Sequence, residues 1–307
     1  MNRQPQIGLL ADGKRLHLQD GPIDLIIEAH GSDMSLHAAY RAAASRFTGL
    51  LDELCAELPL LRQAADPRAC ALKGAVARRM HAAVAPFAAD QFITPMAAVA
   101  GSVAEVILGA MMDEARLDRA YVNNGGDIAL HLADGEQFTV GLLDRPDRFG
   151  VMRTMIVEAS DPTRGIATSG RHGRSFSLGI ADAVTVLART AAQADAAATI
   201  IANAVDLPGH PAIVRLPAES LQPDSDLGAR MVTREVGPLQ EFEIAAALDG
   251  GAATAAALLA AGLIDAAALH LQGEMRMVAP RGFSPDIARP VRGHAIGNAI
   301  HAQTAIL

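Results

Sequence analysis

Three short segments constrain the fold of this chain more strongly than any other feature. Tyr121–Ile128 (YVNNGGDI) and Gly165–Gly170 (GIATSG) each have the pattern of a strand end that breaks into a glycine turn. Ala194–Thr199 (ADAAAT) has the pattern of a helix face, with Asp195 and Thr199 four residues apart. Strand ends combined with helix segments predict a mixed α/β fold. Together the segments indicate a pocket for a phosphate-bearing or otherwise anionic small molecule, with or without a metal.

The rest of the chain predicts further strands and helices around these segments. Ser35 is a suitable N-cap for a long helix that ends near Leu61. Helices are also predicted at 74–84, 96–117, 191–205, 241–248 and 254–261, and strands at 15–18, 23–28, 120–122, 128–132, 138–143, 153–159, 166–168, 183–187 and 268–272. Residues 216–228 are rich in Pro, Asp and Ser and predict a connecting loop. The tail from Pro280 has no clear period.

Composition and charge argue against several classes of partner. Aromatic residues make up 3% of the chain and the formal net charge is −8, whereas nucleic-acid sites need aromatic platforms and a basic surface. The apolar stretch Met96–Met112 contains Glu105 and is shorter than the ~20 residues of a membrane-spanning helix. Cys55 and Cys70 form no metal-binding pattern and are expected to be buried thiols. With no signal segment visible, we expect a soluble cytoplasmic protein without nucleic-acid or membrane partners.

The glycine turn of the first segment can bind an anion. Gly125 and Gly126 can adopt positive φ angles and expose consecutive backbone N–H groups, which form an anion-binding concavity. Asn123 and Asn124 precede the glycines, and the Asn124 side chain could add a donor. Asp127 could hold a ribose hydroxyl or orient the turn. The alternative is an ordinary hairpin turn, which the Asn-Gly pair alone favours.

The second segment carries small hydroxyl residues followed by positive charge. Thr168, Ser169 and Gly170 at a strand end would let a ligand approach the backbone. The next residues include Arg171, His172 and Arg174, and an arginine can clamp a phosphate or carboxylate through two parallel hydrogen bonds. The alternative is a solvated basic loop. These residues are therefore candidates for the ligand-binding surface.

The third segment offers oxygen ligands to a hard cation. Asp195 and Thr199 share one helix face, and their oxygens suit Mg²⁺. The alternative is an aspartate in the first helical turn and a buried threonine that bonds to the preceding turn. Asp182 lies just before a predicted buried strand. It could be a second carboxylate near the site or only a residue at the start of that strand.

The order of these motifs resembles the ApbE superfamily, whose best-known members are magnesium-dependent flavin transferases that use FAD. The matching motifs are Met96–Gly101, Asn123–Gly126, Ala167–Gly170 and Ala194–Thr199, with a looser match at Gly141–Pro146. In the flavin transferases the aspartate and threonine of the last motif hold the metal. The resemblance therefore implies Mg²⁺ at Asp195 and Thr199.

The chain also departs from the flavin-transferase pattern. Ala100 stands where the transferases have a lysine, Leu178 stands where they have an important histidine, and the loop that follows is missing. Met96–Gly101, Leu178–Val186 and Pro223–Gly228 resemble instead a short, mostly uncharacterised ApbE-like branch. This resemblance implies a two-layer, T-fold-like α/β architecture with a central cleft. It also implies one domain over 1–307, made of two interlocked halves, with an irregular tail from about 280.

Three functional hypotheses follow. The first is an ApbE-like enzyme that acts on a small anionic or nucleotide-like metabolite by group transfer or hydrolysis, with Asp182 or His172 as acid or base. The second is a magnesium-dependent FAD:protein FMN transferase, which the absent lysine and histidine disfavour. The third is a non-enzymatic ligand-binding protein. A homo-oligomer is compatible with each of them.

Overall fold

The computed structural model describes residues 4–142 and 153–280, and its centre is a sheet of nine antiparallel strands. The strands in chain order are β1 Gln6–Leu9, β2 Leu16–Asp20, β3 Ile23–His30, β4 Arg119–Asn124, β5 Asp127–Leu132, β6 Gln137–Leu142, β7 Arg153–Glu158, β8 Gly165–Ser169, β9 Ala183–Ala188, β10 Ile213–Pro217, β11 Met231–Val236, β12 Ala266–Leu271 and β13 Glu274–Val278. The order in the large sheet is β1-β2-β3-β4-β5-β8-β9-β12-β13. Strands β6 and β7 pair with each other, as do β10 and β11.

The helices form a second layer. They are α1 Asp33–Phe47, α2 Leu50–Ala56, α3 Leu58–Leu61, α4 Ala75–Val84, α5 Val99–Glu114, α6 Ala191–Ala204, α7 Ala218–Leu221 and α8 Glu241–Ala260, and a 3₁₀ turn, Pro95–Ala98, leads into α5. The larger core lies between one face of the sheet and these helices, where β3 contributes Leu25 and Ile27 and α6 contributes Ile201. This arrangement confirms the predicted mixed α/β class with two layers.

The hairpin β6–β7 covers part of the opposite sheet face. Phe138 and Val140 of β6 and Val157 of β7 belong to a smaller core with Tyr121 of β4. The Tyr121 and Phe138 rings meet edge to face, with centroids 6.1 Å apart and an interplanar angle of 75°. The sheet is therefore buried on both faces in its middle strands, which fixes the strand ends that carry the candidate site.

Helices α5 and α6 approach each other closely because small residues lie between them. A Cβ atom on Gly101 would come within 2.3 Å of the Ala191 carbonyl oxygen, so only glycine fits at this position. Glu105, one turn further along α5, accepts the Ala192 N–H at 2.7 Å and also pairs with Arg79. The carboxylate that interrupts the apolar sequence of α5 thus caps the first turn of α6. This contact sets the position of Asp195 against the start of α5.

Several sequence predictions need correction. The predicted helix from Ser35 to Leu61 is broken at Gly49, whose φ of +81° ends one helix and begins the next. The two predicted helices at 241–248 and 254–261 are one continuous helix, α8, despite its two adjacent glycines. The predicted loop 216–228 includes the end of β10 and the short helix α7. Cys55 and Cys70 are exposed, so the expectation of buried thiols is wrong.

Some predictions concern residues that the structure does not describe. The irregular tail from about 280 and the loose match at Gly141–Pro146 lie mostly outside the described residues. The nine-stranded sheet contains strands from both ends of the described chain, β1 and β13, which become its two edges. The division into two interlocked halves stays a prediction.

Two described segments are long and apolar enough to cross a membrane by length and composition alone, Pro95–Glu114 and Glu241–Ala260. The buried share of the apolar window is 50% in the first segment and 28% in the second. Helix α5 contacts α1, α6 and the sheet, and α8 contacts α6, β12 and β13. Core helices of globular proteins have the same properties, so these segments are weak evidence, and the absence of a membrane partner stays a prediction.

Candidate functional site

One peptide group joins the strand turn to helix α6. The Asn124 side chain donates from Nδ2 to the Ala100 carbonyl oxygen at 3.2 Å, and the N–H of Gly101, in the same peptide group, donates to Asp195 Oδ2 at 3.0 Å. Ala98, the N-cap residue of α5, provides no side-chain cap. Asp195 therefore satisfies a first-turn N–H group of α5 that would otherwise lack a partner. The beginning of α5 thus holds Asn124 and Asp195 on either side of it.

The Asn123–Asp127 segment is a tight hairpin turn between β4 and β5. Gly125 and Gly126 have φ angles of +65° and +113°, and the Gly126 N–H donates to Asn123 Oδ1 at 2.8 Å. Asn123 is buried and its carbonyl oxygen is used by the turn itself. Asn124 pairs with Asp127 across the two strands, so both side chains lie on the helical face of the sheet. The segment is thus a hairpin turn that presents Asp127 to α6, and its role in ligand binding stays a prediction.

Two carboxylates interact beside the start of α5: Asp127, on β5 of the sheet, and Asp195, on helix α6. Burial raises the pKa of Asp127 well above its usual value, and the negative charge of Asp195 raises it further. Burial also raises the pKa of Asp195 to about 7, against the effect of the Gly101 and Ala100 N–H groups. Both residues keep part of their surface accessible, so they lie outside the closed core. Two unneutralised carboxylates in such a site repel each other and favour a cation.

Thr199 lies one turn beyond Asp195 on α6 and is also partly accessible. The alanines around it, Ala196 to Ala198, are buried. Within 4–142 and 153–280, no group of three or more His, Cys, Asp or Glu side chains could hold a metal ion. A cation held by two carboxylates and one hydroxyl would therefore have to complete its coordination with water or with the ligand.

The two hydroxyl side chains at the end of β8, Thr168 and Ser169, lie on opposite faces of the sheet. Thr168 pairs with Thr185 of β9, and their hydroxyl oxygens are 2.9 Å apart. Because Ala167 faces the helical core, the alternation of the strand places the Thr168 side chain on the opposite face. Its backbone N–H nevertheless donates to Asp127 Oδ1 at 3.3 Å. Thr168 therefore contributes its backbone to the carboxylate site, and Ser169 has its side chain on the helical face.

Asp182 is the centre of a second polar cluster. Its Oδ1 atom accepts from Arg171 Nε at 2.8 Å and lies 2.5 Å from Arg171 Nη2 and 3.2 Å from His172 Nε2. Its Oδ2 atom accepts the Gln272 N–H at 2.6 Å. The Asp182 side chain is 5% exposed. Arg171 and His172 are thus engaged with a carboxylate of their own chain.

Two residues with positive φ angles, Gly170 and Gln272, bring the backbone close to Asp182. Gly170 has a φ of +151°, and a Cβ atom there would lie 2.6 Å from the Asp182 carbonyl oxygen. Gln272 has a φ of +46°, and its side chain accepts the Leu239 N–H and donates to the Gly237 carbonyl oxygen. Gln272 was missed in the sequence because it lies 90 residues from Asp182 and belongs to no motif. The catalytic roles of Asp182 and His172 stay predictions.

Arg174 differs from its neighbours on the same loop. Its side chain is 57% exposed, and its Nη2 atom lies 3.9 Å from Asp24 Oδ2. Its Nη1 atom donates to the Pro22 carbonyl oxygen at 3.3 Å and lies 3.5 Å from the position of a Cβ atom on Gly125. The loop after β8 thus carries Arg174 to the β4–β5 turn and to the start of β3.

The fold and the site define a mixed α/β protein in which Asp127 of the sheet and Asp195 of α6 interact beside the start of α5. A family model described as AbpE bacteria matches residues 7–277, so the chain belongs to this family. The resemblance to an ApbE-like branch that the motifs indicated is thereby confirmed.

Curated relatives are UPF0280 proteins of archaea. The protein from Methanothrix thermoacetophila is 42% identical over 37% of this chain and 46% of its own length. The protein from Methanosphaerula palustris is 34% identical over 50% of this chain and 63% of its own length. The chain spans about half the length of the curated relatives it matches.

A solved structure is similar in outline. The apo crystal structure of Pseudomonas stutzeri flavinyl transferase ApbE aligns over 92% of this chain and 96% of its own, with 11% sequence identity and a TM-score of 0.40. An identity and a TM-score this low do not carry flavin transfer over to this chain.

Proposed function

We propose that this protein is a cation-dependent enzyme that acts on a small phosphate-bearing, nucleotide-like metabolite by group transfer or hydrolysis. The observation that carries the proposal is the pair Asp127 and Asp195, which interact from different layers of the fold. Among the described residues, no cationic side chain pairs with either carboxylate. Two like charges in a partly buried cleft are unfavourable, and a divalent cation would balance them. Family membership supports the same conclusion.

The residues present fit Mg²⁺. Asp195, Asp127 and Thr199 offer the oxygen ligands that this cation prefers, and a bound Mg²⁺ would stabilise the negative charge that develops on a phosphoryl group. The Gly101 N–H holds Asp195 at Oδ2, the Ala100 N–H acts on the same carboxylate, and the Thr168 N–H holds Asp127 at Oδ1. These backbone contacts fix both carboxylates before a ligand arrives.

The flavin-transferase and binding-protein alternatives differ from this proposal in what they require. Ala100 and Leu178 occupy the positions where flavin transferases have a lysine and a histidine. In the structure Ala100 uses its carbonyl group to hold Asn124, and Leu178 is anchored by its N–H to Asn203 at 3.0 Å. Neither side chain can transfer a proton. A binding protein would need only the cleft and its charges.

Incubation of the purified protein with Mg²⁺ and a panel of FAD, ADP and pyrophosphate tests the proposal, with products identified by mass spectrometry. We expect cleavage or transfer that depends on Mg²⁺ and is lost in Asp195→Asn. FMN transfer to a Thr- or Ser-containing acceptor would restore the flavin-transferase alternative. Tight binding without product under every cation condition would contradict the enzyme proposal and favour a ligand-binding protein.

A further inference from the structure

The side-chain amide of Asn124 lies between two backbone groups that fix its orientation. Asn124 is buried, at 7% exposure. Its Nδ2 atom donates to the Ala100 carbonyl oxygen at 3.2 Å, and its Oδ1 atom accepts the Asp24 N–H at 3.4 Å. One neighbour is an acceptor and the other is a donor, so a rotated amide would place like groups against each other. The fold therefore directs the Asn124 donor at the start of α5.

The peptide group between Ala100 and Gly101 connects Asn124 to Asp195. Its carbonyl end accepts from Asn124, and its N–H end donates to Asp195 Oδ2 at 3.0 Å. A hydrogen bond at one end of a peptide group polarises it and strengthens the hydrogen bond at the other end. The two helices are in contact at this point, because a Cβ atom on Gly101 would come within 2.3 Å of the Ala191 carbonyl oxygen. The orientation of this one peptide group thus bears directly on Asp195.

Asn124 also belongs to the hairpin that carries the other carboxylate of the site. It pairs with Asp127 across β4 and β5. The Asp127 side chain is held in turn by the Thr168 N–H, which donates to Oδ1 at 3.3 Å. Asn124 therefore links the hairpin of Asp127 to the helix of Asp195 through a single peptide group.

We infer that Asn124 is a positioning residue of the Asp127–Asp195 site, and that it holds the Ala100–Gly101 peptide group in the orientation that directs the Gly101 N–H at Asp195. The inference rests on the proposed function, in which the two carboxylates hold a divalent cation. Asn124 acts on the cation through Asp195 and not by contact with the ligand. Residues that orient metal ligands in this way typically change metal affinity by 10- to 100-fold when they are substituted.

The test compares Asn124→Leu with Asn203→Leu, a matched control on α6. Asn203 also uses its amide to hold a backbone group, since its Oδ1 atom accepts the Leu178 N–H at 3.0 Å. Both variants lose one hydrogen-bonded asparagine, so both should have a lower melting temperature than the wild type. Calorimetric titration with Mn²⁺ should show an affinity at least about tenfold lower in Asn124→Leu. Asn203→Leu should bind Mn²⁺ as the wild type does.

The NMR signal of the Gly101 amide reports the orientation of the peptide group without any cation. In isotope-labelled protein kept in EDTA, Asn124→Leu should move the Gly101 amide proton to higher field. It should also speed the exchange of this proton with deuterium by about tenfold, as the loss of an ordinary hydrogen bond does. Asn203→Leu should leave both properties unchanged. The reverse experiment keeps Asn124 in place: Asp195→Asn should shift the side-chain amide signal of Asn124.

The outcomes separate this inference from the proposed function. An unchanged Gly101 signal in Asn124→Leu would overturn the inference, and so would an altered signal with an unchanged Mn²⁺ affinity. Equal losses of affinity in Asn124→Leu and Asn203→Leu would also overturn it, because a general loss of stability would then explain both. A wild-type protein that binds no Mn²⁺ would contradict the proposed function, whereas the Gly101 signal would still report whether Asn124 positions Asp195.

Discussion

Asp182 and the pair Asp127–Asp195 are carboxylates beside glycine turns of the same sheet, yet their surroundings differ. Asp182 is almost fully buried and accepts from Arg171, His172 and the Gln272 backbone. Asp127 and Asp195 accept only backbone N–H groups in the hydrogen bonds of the described residues, and they repel each other. The fold neutralises the carboxylate of Asp182, whereas the proposed function requires an added cation to balance Asp127 and Asp195. The difference separates a structural ion pair from a candidate site.

The largest loss of folding stability is expected from substitution of Asp182. Asp182→Asn removes the partner of Arg171, and breaking a buried pair in this way costs about 3 kcal/mol, at the lower end of the known range because Arg171 keeps some solvent contact. Urea denaturation gives the free energy of unfolding. Asp249→Asn is the matched control, because its 68% exposed side chain pairs with Arg276 at the surface and should change stability by less than about 1 kcal/mol. Equal values for the two variants would remove the distinction between the two regions.

The second-largest effect is the stabilisation of the folded protein by a divalent cation. Mg²⁺ or Mn²⁺ at one hundred times its dissociation constant should stabilise the wild-type protein by about 2.7 kcal/mol, since a ligand that binds only the native state shifts the folding equilibrium. Asp127→Asn and Asp195→Asn should each lose this stabilisation, and Asp249→Asn should keep it. Thermal unfolding with and without the cation measures the shift. Stabilisation that persists in both asparagine variants would place the cation elsewhere.

A smaller effect is the pH dependence of folding stability in the absence of divalent cations. Because the pKa of Asp195 is raised to about 7 in the folded state, the folded chain holds a proton that the unfolded chain has lost between about pH 4 and pH 7. Stability should therefore fall as pH rises through this window, by on the order of 1–2 kcal/mol after solvent screening. Asp195→Asn should make the dependence less steep, and the raised pKa of the buried Asp127 should account for the dependence that remains. Unfolding curves in EDTA at several pH values test this, and a parallel slope in the variant would contradict the raised pKa that burial gives Asp195.

The smallest effect is expected at Thr199. Thr199→Val keeps the shape of the side chain and removes one neutral oxygen ligand, so Mn²⁺ affinity should fall by up to about tenfold, equivalent to about 1.4 kcal/mol. Thr199→Ser keeps the oxygen and should bind nearly as well as the wild type. Calorimetric titration with Mn²⁺ measures both variants. Equal affinity in Thr199→Val and the wild type would exclude the threonine as a ligand.

The sequence predicts the strand ends and the helix that carry the site, because their glycine turns and helical spacing are local signals. Asn124, Asp127 and Asp195 are therefore visible as candidates before the structure is known. The engagement of Asp182 is not visible, because Gln272 and Arg171 reach it from different elements of the fold. The role of Glu105 as a cap for α6 likewise depends on the packing of two helices. The break at Gly49 was missed because a glycine inside a helical pattern can be tolerated.

The most direct test of the central claim is anomalous diffraction from crystals of the wild-type protein soaked in Mn²⁺. We expect an anomalous peak between Asp127 and Asp195, close to Thr199, and no such peak in Asp195→Asn crystals treated in the same way. A peak at Asp182, or a clear map with Asp127 and Asp195 in direct hydrogen-bond contact and no bound cation, would contradict the account.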